Sequence, residues 1–389
     1  MPHAVPDPDA ADPESSPTDA GGAGPDDAGG ASPEPRPGAE RPRVDLALQG
    51  GGSHGAFTWG VLDRLLEDDG VDIDAISGTS AGALNAGVLA SAHARGGRAA
   101  ARAALTDFWH DVGRTAQAFA PFSIGQARAL GDSLHLDRLP STRWLGSFLR
   151  AFSPYEFNPL NLNPLRDVLR RHVDEAALRD CGLRLFVTAT RVHSGQARVF
   201  TGRELSIDAL LASACLPFIF QAVEIDGEPY WDGGYTGNPA IYPLIYRSDA
   251  ADVMLVKINP LHRAGTPRTS VEILDRLSEI TFNASLIAEM RAIAFVSRLL
   301  REHRLDRERY KDLRLHMIED DEGLAPFGAG SKLDTDRALL ERLFDLGRRA
   351  AGSWLQRHRA ALGVRGTLDI EKLDDEFGRH FVVGADRVE

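Results

Sequence analysis

The 389-residue sequence is poor in several features that would assign it to a function class. It has two cysteines, Cys181 and Cys215, whose separation matches neither a metal site nor a redox motif. Cys215 lies in the apolar run SACLPFIF, where we expect a buried small side chain. Cysteine chemistry is therefore not expected to be the function of this chain.

The sequence also lacks an obvious membrane span. Residues 75–94 contain no charged residue, but the stretch reads AISGTSAGALNAGVLASAHA and is rich in Ser and Gly. A span needs about 20 strongly apolar residues. The uncharged stretch 209–223 is interrupted by Pro217, and we expect no other run to be long enough.

Basic residues are almost absent from the first 40 positions, which hold nine acidic residues and only Arg36. This arm contributes about −8 of the formal net charge of −12, and its Pro, Ala, Gly and Asp content predicts disorder. It has no basic patch followed by an apolar stretch, so we expect no export signal and a cytoplasmic protein. The acidic balance argues against nucleic acid as a partner.

Two similar units follow the arm. VDLALQGGGSHGAFTWGVL begins at Val44 and VDIDAISGTSAGALNAGVL at Val71, each with a short apolar run, a Gly-rich turn and a helical pattern. Such repeats predict parallel strands joined by helices, hence an α/β fold with a mostly parallel central sheet. Further strands are predicted at Leu183–Val192, Arg198–Thr201 and Val253–Ile258.

The first turn, GGGSHG at 50–55, allows three interpretations. It fits G-x-G-x-x-G of a dinucleotide site, but the acidic residue required at the end of the next strand is replaced by Ser77-Gly78-Thr79-Ser80. It also fits a glycine turn that lets a helix pack closely. Thirdly, its backbone N–H groups suit an oxyanion hole.

The second turn, GTSAG at 78–82, fits the nucleophile elbow G-x-S-x-G, in which a strained serine stands between a strand and a helix. The motif is short and occurs twice, because 51–55 also matches around Ser53. Small neighbours on both sides make Ser80 the better nucleophile. The acidic residue that best suits a base is Asp232 in EPYWDGGYTGNP, although D-G-G is also an ordinary turn with an Asp cap.

GGGSHG, GTSAG and DGG, in this order, resemble the patatin-like phospholipase family over about Val44–Asn259. The resemblance implies an α/β sandwich with additional C-terminal helices, and hydrolysis of acyl esters in lipids without metal or cofactor. It implies Ser80 as nucleophile, Asp232 as base and an oxyanion loop, with the following glycines in the motifs: Gly50, Gly51 and Gly52 in the loop, and Gly55, Gly78, Gly82, Gly233 and Gly234 around it. One departure is His54, where the family usually has Arg or Lys.

We divide the chain into an arm (1–40), a catalytic core (41–262) with an insertion around 108–165, and a helical C-terminal extension (263–389) packed on the core. The insertion holds four aromatic residues that suit either a lid meeting a membrane surface or an ordinary core: Phe148, Phe152, Tyr155 and Phe157. The extension shows helical spacing at Ala284–His303 and Asp334–Leu362.

Three functions stay open at this point. The first is a serine lipid acyl hydrolase of phospholipase A or lysophospholipase type, with a lipid substrate and transient contact with a membrane surface. The second is a Ser80–Asp232–His262 esterase, since His262 follows a predicted strand. The third is a non-catalytic module that binds a nucleotide or phosphate at GGGSHG.

Overall fold

An eight-stranded sheet forms the centre of the protein, with strand order β5-β6-β3-β2-β1-β7-β8 and β4 paired to β3. The computed structural model describes residues 41–119, 152–263 and 265–369, all in one compact unit. The arm 1–40, residues 120–151 of the predicted insertion and residues 370–389 lie outside the described residues. The strands are β1 (Arg43–Leu48), β2 (Asp72–Thr79), β3 (Arg184–Arg191), β4 (Ala197–Thr201), β5 (Val223–Ile225), β6 (Glu228–Asp232), β7 (Asp252–Val256) and β8 (Arg314–Ile318).

The predicted fold class is confirmed: the sheet is mixed but mostly parallel. Antiparallel pairing is confined to β4, β5 and β6 around β3. Both predicted strand–turn–helix units form, with α1 after β1 and α2 after β2. The helices are α1 (Gly55–Glu67), α2 (Ala81–Phe119), α3 (Pro154–Phe157), α4 (Pro164–His172), α5 (Glu175–Arg179), α6 (Ile207–Ser213), α7 (Tyr242–Arg247), α8 (Ser270–Arg301), α9 (Asp321–Leu324) and α10 (Arg337–His358).

Each face of the sheet carries its own apolar layer. Leu46 and Leu48 of β1 face α1 and α2, where Phe57 and Leu62 are fully buried. Ala47 of the same strand faces the opposite layer, formed by α7 and α8. Burial of one such large side chain stabilises the fold by roughly 1.5–3 kcal/mol. The alternation along β1 thus produces a helix–sheet–helix sandwich.

The C-terminal region differs from the helical extension predicted for 263–389. It supplies β8, which pairs in parallel with β7, and therefore completes the sheet. The run RLHMI was missed because a short apolar run without clear alternation does not distinguish strand from helix. Moreover, α10 packs on α1 with backbones nearly in contact: a Cβ on Gly347 would lie 2.0 Å from the Phe57 carbonyl oxygen.

The first residues of the insertion predicted around 108–165 continue a helix that begins in the core. Residues 108–119 belong to α2, whose helical backbone is interrupted only at Gly96 and Gly97. The structure also describes residues 152–165 at the end of the predicted insertion, where Phe152 and Tyr155 are exposed. Phe148 of the proposed lid lies outside the described residues.

Helix α8 corrects the expectation that no segment is long and apolar enough to cross a membrane. By length and composition alone, Asp275–Arg301 would suffice, with a mean hydropathy of 1.2 and 33% of that window buried. Leu286, Met290 and Ile293 of this helix pack on the sheet. The stretch was missed because Glu289 and Arg291 interrupt the apolar run in the sequence. The mean hydropathy of the stretch nevertheless stays high enough for a membrane span.

Candidate active site

Ser80 occupies the strained position between β2 and α2 that the motif predicts. Its φ of 53° lies in the left-handed region, which non-glycine residues rarely adopt. The flanking glycines are sterically required, because a Cβ on Gly82 would lie 2.2 Å from the Leu48 carbonyl oxygen and one on Gly78 would lie 2.7 Å from the Gly82 carbonyl oxygen. The Ser80 N–H donates to Ser213 Oγ at 2.9 Å, which holds the turn.

Ser53, the serine of the other motif copy, is buried in a 3-10 turn, Gly52–His54. It is not among the non-glycine residues with positive φ. Of the two copies, only the one at Ser80 therefore forms an elbow.

The pairing of β3 brings Asp232 to Ser80. Thr79, the last residue of β2, pairs with Thr188, and Asp232, the last residue of β6, pairs with the adjacent Ala189. Since β4 occupies the other edge of β3, β2 and β6 run toward each other along a single edge. Their carboxyl ends meet, so the residues that end them become neighbours.

The Asp232 carboxyl is fully buried, with one oxygen bound and one open. Its Oδ1 accepts from the Gly234 N–H at 2.7 Å, whereas Oδ2 has no partner among the described residues. Burial raises the pKa of Asp232 to about 7, although the Gly234 N–H and the nearby Ser80 hydroxyl act in the opposite direction. A carboxyl that titrates near neutrality is suited to accept a proton from a hydroxyl.

The turn after β1 lies against Ser80. A Cβ on Gly50 would stand 2.5 Å from Ser80 Cβ, so only glycine permits this approach. The Gly50 N–H is already engaged, donating to Asn238 Oδ1 at 2.6 Å. The N–H groups of Gly51 and Gly52 have no acceptor within 41–119, 152–263 and 265–369. They remain available to an oxyanion.

The other motif glycines stand around these groups. Gly55 lies against Ala81, the residue after Ser80, and Gly233 packs on the Thr188 carbonyl. Gly234 supplies the N–H that binds Asp232. Ser80, Asp232 and the predicted motif glycines thus surround one position at the carboxyl ends of the strands.

Sequence reasoning missed a set of buried amides that shape the loop. Gln49 Oε1 accepts from the backbone N–H groups of Ile258 and Asn259 at 2.9 and 3.0 Å, and its Nε2 donates to the Asn238 carbonyl. The Gly50 carbonyl accepts from Asn259 Nδ2 at 2.7 Å. Single Asn and Gln residues far apart in the chain form no motif. The signal that could have pointed to Gln49 and Asn238 is their position close to GGGSHG and DGG in the sequence.

His54, which stands where the family usually has Arg or Lys, places an uncharged imidazole ring in the loop. His54 is buried, and burial, with help from Lys332 and Arg263, lowers its pKa to about 3. Its Nε2 lies 2.7 Å from Ser331 Oγ.

The geometry does not bring the histidine of the alternative Ser–Asp–His triad to the site. His262 is exposed and makes no hydrogen bond to Asp232 or Ser80, all three of which lie in the described ranges. In the described part of the chain, no group of three His, Cys, Asp or Glu side chains is placed to hold a metal ion.

Comparison with known proteins gives one family. A family model described as patatin-like phospholipase matches residues 46–245. Two solved structures are similar, both with a TM-score of 0.33: VipD from Legionella pneumophila at 14% identity, covering 90% of this chain and 82% of that chain, and the ExoU–SpcU complex from Pseudomonas aeruginosa at 18% identity, covering 82% of this chain and 53% of that chain. No curated protein sequence matches.

Proposed function

Because the chain belongs to the patatin-like phospholipase family, which implies lipid acyl hydrolysis, we propose that it is a serine lipid acyl hydrolase of phospholipase A or lysophospholipase type. Ser80 is the nucleophile and Asp232 the general base. The observation that carries this assignment is the open, buried Oδ2 of Asp232, next to a serine held in a left-handed elbow. Both features are costly, and such costs concentrate at active sites.

The reaction has two halves. Asp232 accepts the Ser80 hydroxyl proton while Oγ attacks the ester carbonyl carbon, and the resulting oxyanion accepts hydrogen bonds from the Gly51 and Gly52 N–H groups. The intermediate collapses to an acyl-serine, and the leaving alcohol takes the proton from Asp232. Water then attacks the acyl-serine by the same route, releasing the fatty acid and restoring both side chains.

A lipid substrate requires transient contact with a membrane surface, and the outer face of α8 is suited to it. Ile273, Leu277, Ile280 and Phe295 of this helix are 43–54% exposed and follow its helical repeat. From 280 to 298 its exposed positions include Arg291 and Arg298 but no carboxylate. An apolar face with basic residues binds anionic lipid surfaces.

The same helix reaches the active site from its other side. The ring of Phe282 stacks edge-on to Tyr235 at 5.3 Å and lies against Gly234, beside Asp232. We therefore propose that α8 rests on the lipid surface and brings the site to its substrate.

Substitution of the nucleophile tests the assignment. Ser80→Ala should lower ester hydrolysis by about four orders of magnitude or more and abolish labelling by a fluorophosphonate probe. Ser53→Ala, the control in the other motif copy, should keep a substantial fraction of both. The assays are turnover of a soluble aryl ester and of phospholipid, with labelling of the intact protein.

Near-normal turnover by Ser80→Ala would contradict the assignment. His262→Ala separates the dyad from the triad: it should be nearly normal, and a loss equal to that of Asp232→Asn would favour the Ser–Asp–His alternative.

A further inference from the structure

We propose that Lys332 supplies the oxyanion loop with the positive charge that its own residue 54 lacks, acting through the Asn259 side chain and the peptide between Gly50 and Gly51. Lys332 is thus a positioning residue for the hydrolysis proposed above, and this inference rests on that function. The charge comes from a segment far along the chain, the 3-10 turn Ala329–Leu333.

The buried His54 ring carries no charge, because burial, with Lys332 and Arg263 nearby, lowers its pKa to about 3. Ser331 Oγ donates its single proton to the Gly328 carbonyl at 2.6 Å, so the 2.7 Å contact with His54 Nε2 requires the imidazole to donate. In the neutral ring, the single proton is therefore on Nε2. Position 54 holds the loop in place but adds no electrostatic stabilisation.

Lys332 lies behind the same loop. A Cβ on Gly52 would stand 2.2 Å from the Lys332 carbonyl oxygen, so the two backbones touch. Its Nζ donates to Asn259 Oδ1 at 2.8 Å, and Asn259 Nδ2 donates to the Gly50 carbonyl at 2.7 Å. These two hydrogen bonds link the ammonium group to the loop.

The hydrogen bond from Asn259 ends on the peptide group between Gly50 and Gly51, which takes part in the proposed reaction. The Gly50 carbonyl and the Gly51 N–H belong to one peptide group, and that N–H is free to bind the oxyanion. Hydrogen bonds in a chain polarise one another, so a cation at one end makes the Gly51 N–H a stronger donor at the other. This effect grows as negative charge develops on the substrate oxygen, and it therefore favours the transition state over the ground state.

The electrostatic surroundings of Lys332 support a functional role. It forms no ion pair with any carboxylate in the described ranges, and burial lowers its pKa. Glu279, the carboxylate with the largest opposing influence, is itself paired with Arg263 and Arg276. An ammonium group partly removed from water without a direct counter-ion is costly, which is the expected signature of a charge kept for a transient anion.

The test replaces the charge while keeping the stem of the side chain. Lys332→Met should lower kcat on a soluble aryl ester by about 10- to 100-fold, with KM changed by less than about twofold, because one strengthened oxyanion donor is worth up to about this factor. Binding of a trifluoromethyl ketone, which forms a tetrahedral adduct with Ser80, should weaken by the same factor. Lys332→Arg should recover part of the loss.

Lys311→Met is the matched control. This ammonium group binds the carbonyls of Leu244 and Ser248, at the opposite end of the sheet. Its loss should leave kcat and ketone affinity unchanged even if the melting temperature falls. Asn259→Asp is a second variant of nearly the same volume. It gives Lys332 a counter-ion and replaces the 2.7 Å donor to the Gly50 carbonyl with an acceptor, leaving the longer bond of 3.3 Å from Asn238 Nδ2. It should lose kcat and ketone affinity per folded molecule, whatever its melting temperature.

Wild-type kcat and ketone affinity in Lys332→Met would overturn the relay and leave the proposed function intact. The same holds if kcat and melting temperature fall together in Lys332→Met and Asn259→Asp while ketone affinity per folded molecule is unchanged. A wild-type protein that hydrolyses no ester and is not labelled at Ser80 would overturn both proposals.

Discussion

Ser80 and Asp232 each occupy a state that an isolated residue avoids. The left-handed backbone of Ser80 costs roughly 1–2 kcal/mol, and the Asp232 carboxyl is removed from water with one oxygen unbound. Surrounding contacts impose both states: the Ser213 hydroxyl on the elbow, and the Thr190 hydroxyl, which donates to the Asp232 carbonyl at 2.8 Å, on the base. At this scale, stability is lower where the proposed chemistry takes place.

Replacement of the base should therefore separate stability from activity. With a folded-state pKa of about 7, above the ordinary value near 3.9, Asp232 holds its proton more tightly in the folded protein. Its contribution to stability is largest below about pH 4 and is lost as the pH rises toward 7. Asp232→Asn should be nearly inactive yet melt ~2–4 °C higher than wild type at pH 8, with a smaller difference at pH 5.

Melting curves at the two pH values, with turnover of a soluble ester, test this. In the wild type, kcat/KM should rise with pH through about 7 and then level off, because the base must be ionised. Equal melting temperatures for the two proteins at both pH values would contradict the raised pKa.

At the scale of elements, α10 shares the hydrophobic core of the sheet and α1, although it lies outside the core predicted for 41–262. Gly60 of α1 packs against α10, and Gly347 of α10 packs against α1. A Cβ on either glycine would lie 2.0 Å from a carbonyl oxygen of the opposite helix. Trp59 and Phe344 stack at 4.1 Å, and Arg348 pairs with Asp63. Since α1 begins directly after the oxyanion loop, this packing also supports the site.

The contact between α10 and α1 can be tested by replacing each of two glycines of α10 with alanine and comparing the two variants. Gly347→Ala should lower the melting temperature by about 3 °C or more, because the added methyl group forces two backbones apart. Gly352→Ala should keep or raise it, because its nearest atom is Arg64 Nε at 3.8 Å and alanine favours a helix by up to about 1 kcal/mol. Equal melting temperatures for the two variants would show that the helices are not in close contact.

At the scale of the whole molecule, the proposed contact with lipid has to occur on a chain with a net charge of −12. About −8 of this charge lies in residues 1–40, so the remainder carries about −4. The apolar face of α8 offers a region of contact, since the exposed positions between 280 and 298 include no carboxylate. Apolar burial and local charge can then act despite the acidic total.

Acidic residues on that face should prevent lipid binding. Leu277→Glu with Ile280→Glu should reduce binding to phosphatidylglycerol-containing vesicles by about tenfold or more and lower turnover of vesicle lipid in parallel. Turnover of a soluble ester should stay within about twofold of wild type. Tyr310→Glu with Val364→Glu, exposed apolar positions outside α8, should bind vesicles as before.

Vesicle sedimentation and light scattering check this prediction. If the wild type is a dimer in solution and the α8 variant is a monomer that binds vesicles normally, the face is an interface between copies of the chain and the membrane proposal is wrong.

The sequence by itself determined what depends on local geometry. The two strand–turn–helix units, the fold class and the elbow at Ser80 follow from patterns of glycine and apolar residues within about twenty positions. Tertiary structure decided what depends on contacts between distant segments: β8 in the sheet, Asp232 beside Ser80 through β3, and Asn238, Asn259 and Lys332 around the loop. No sequence spacing identifies a single buried amide or lysine, because its hydrogen-bond partner depends on how distant segments come together in the folded chain.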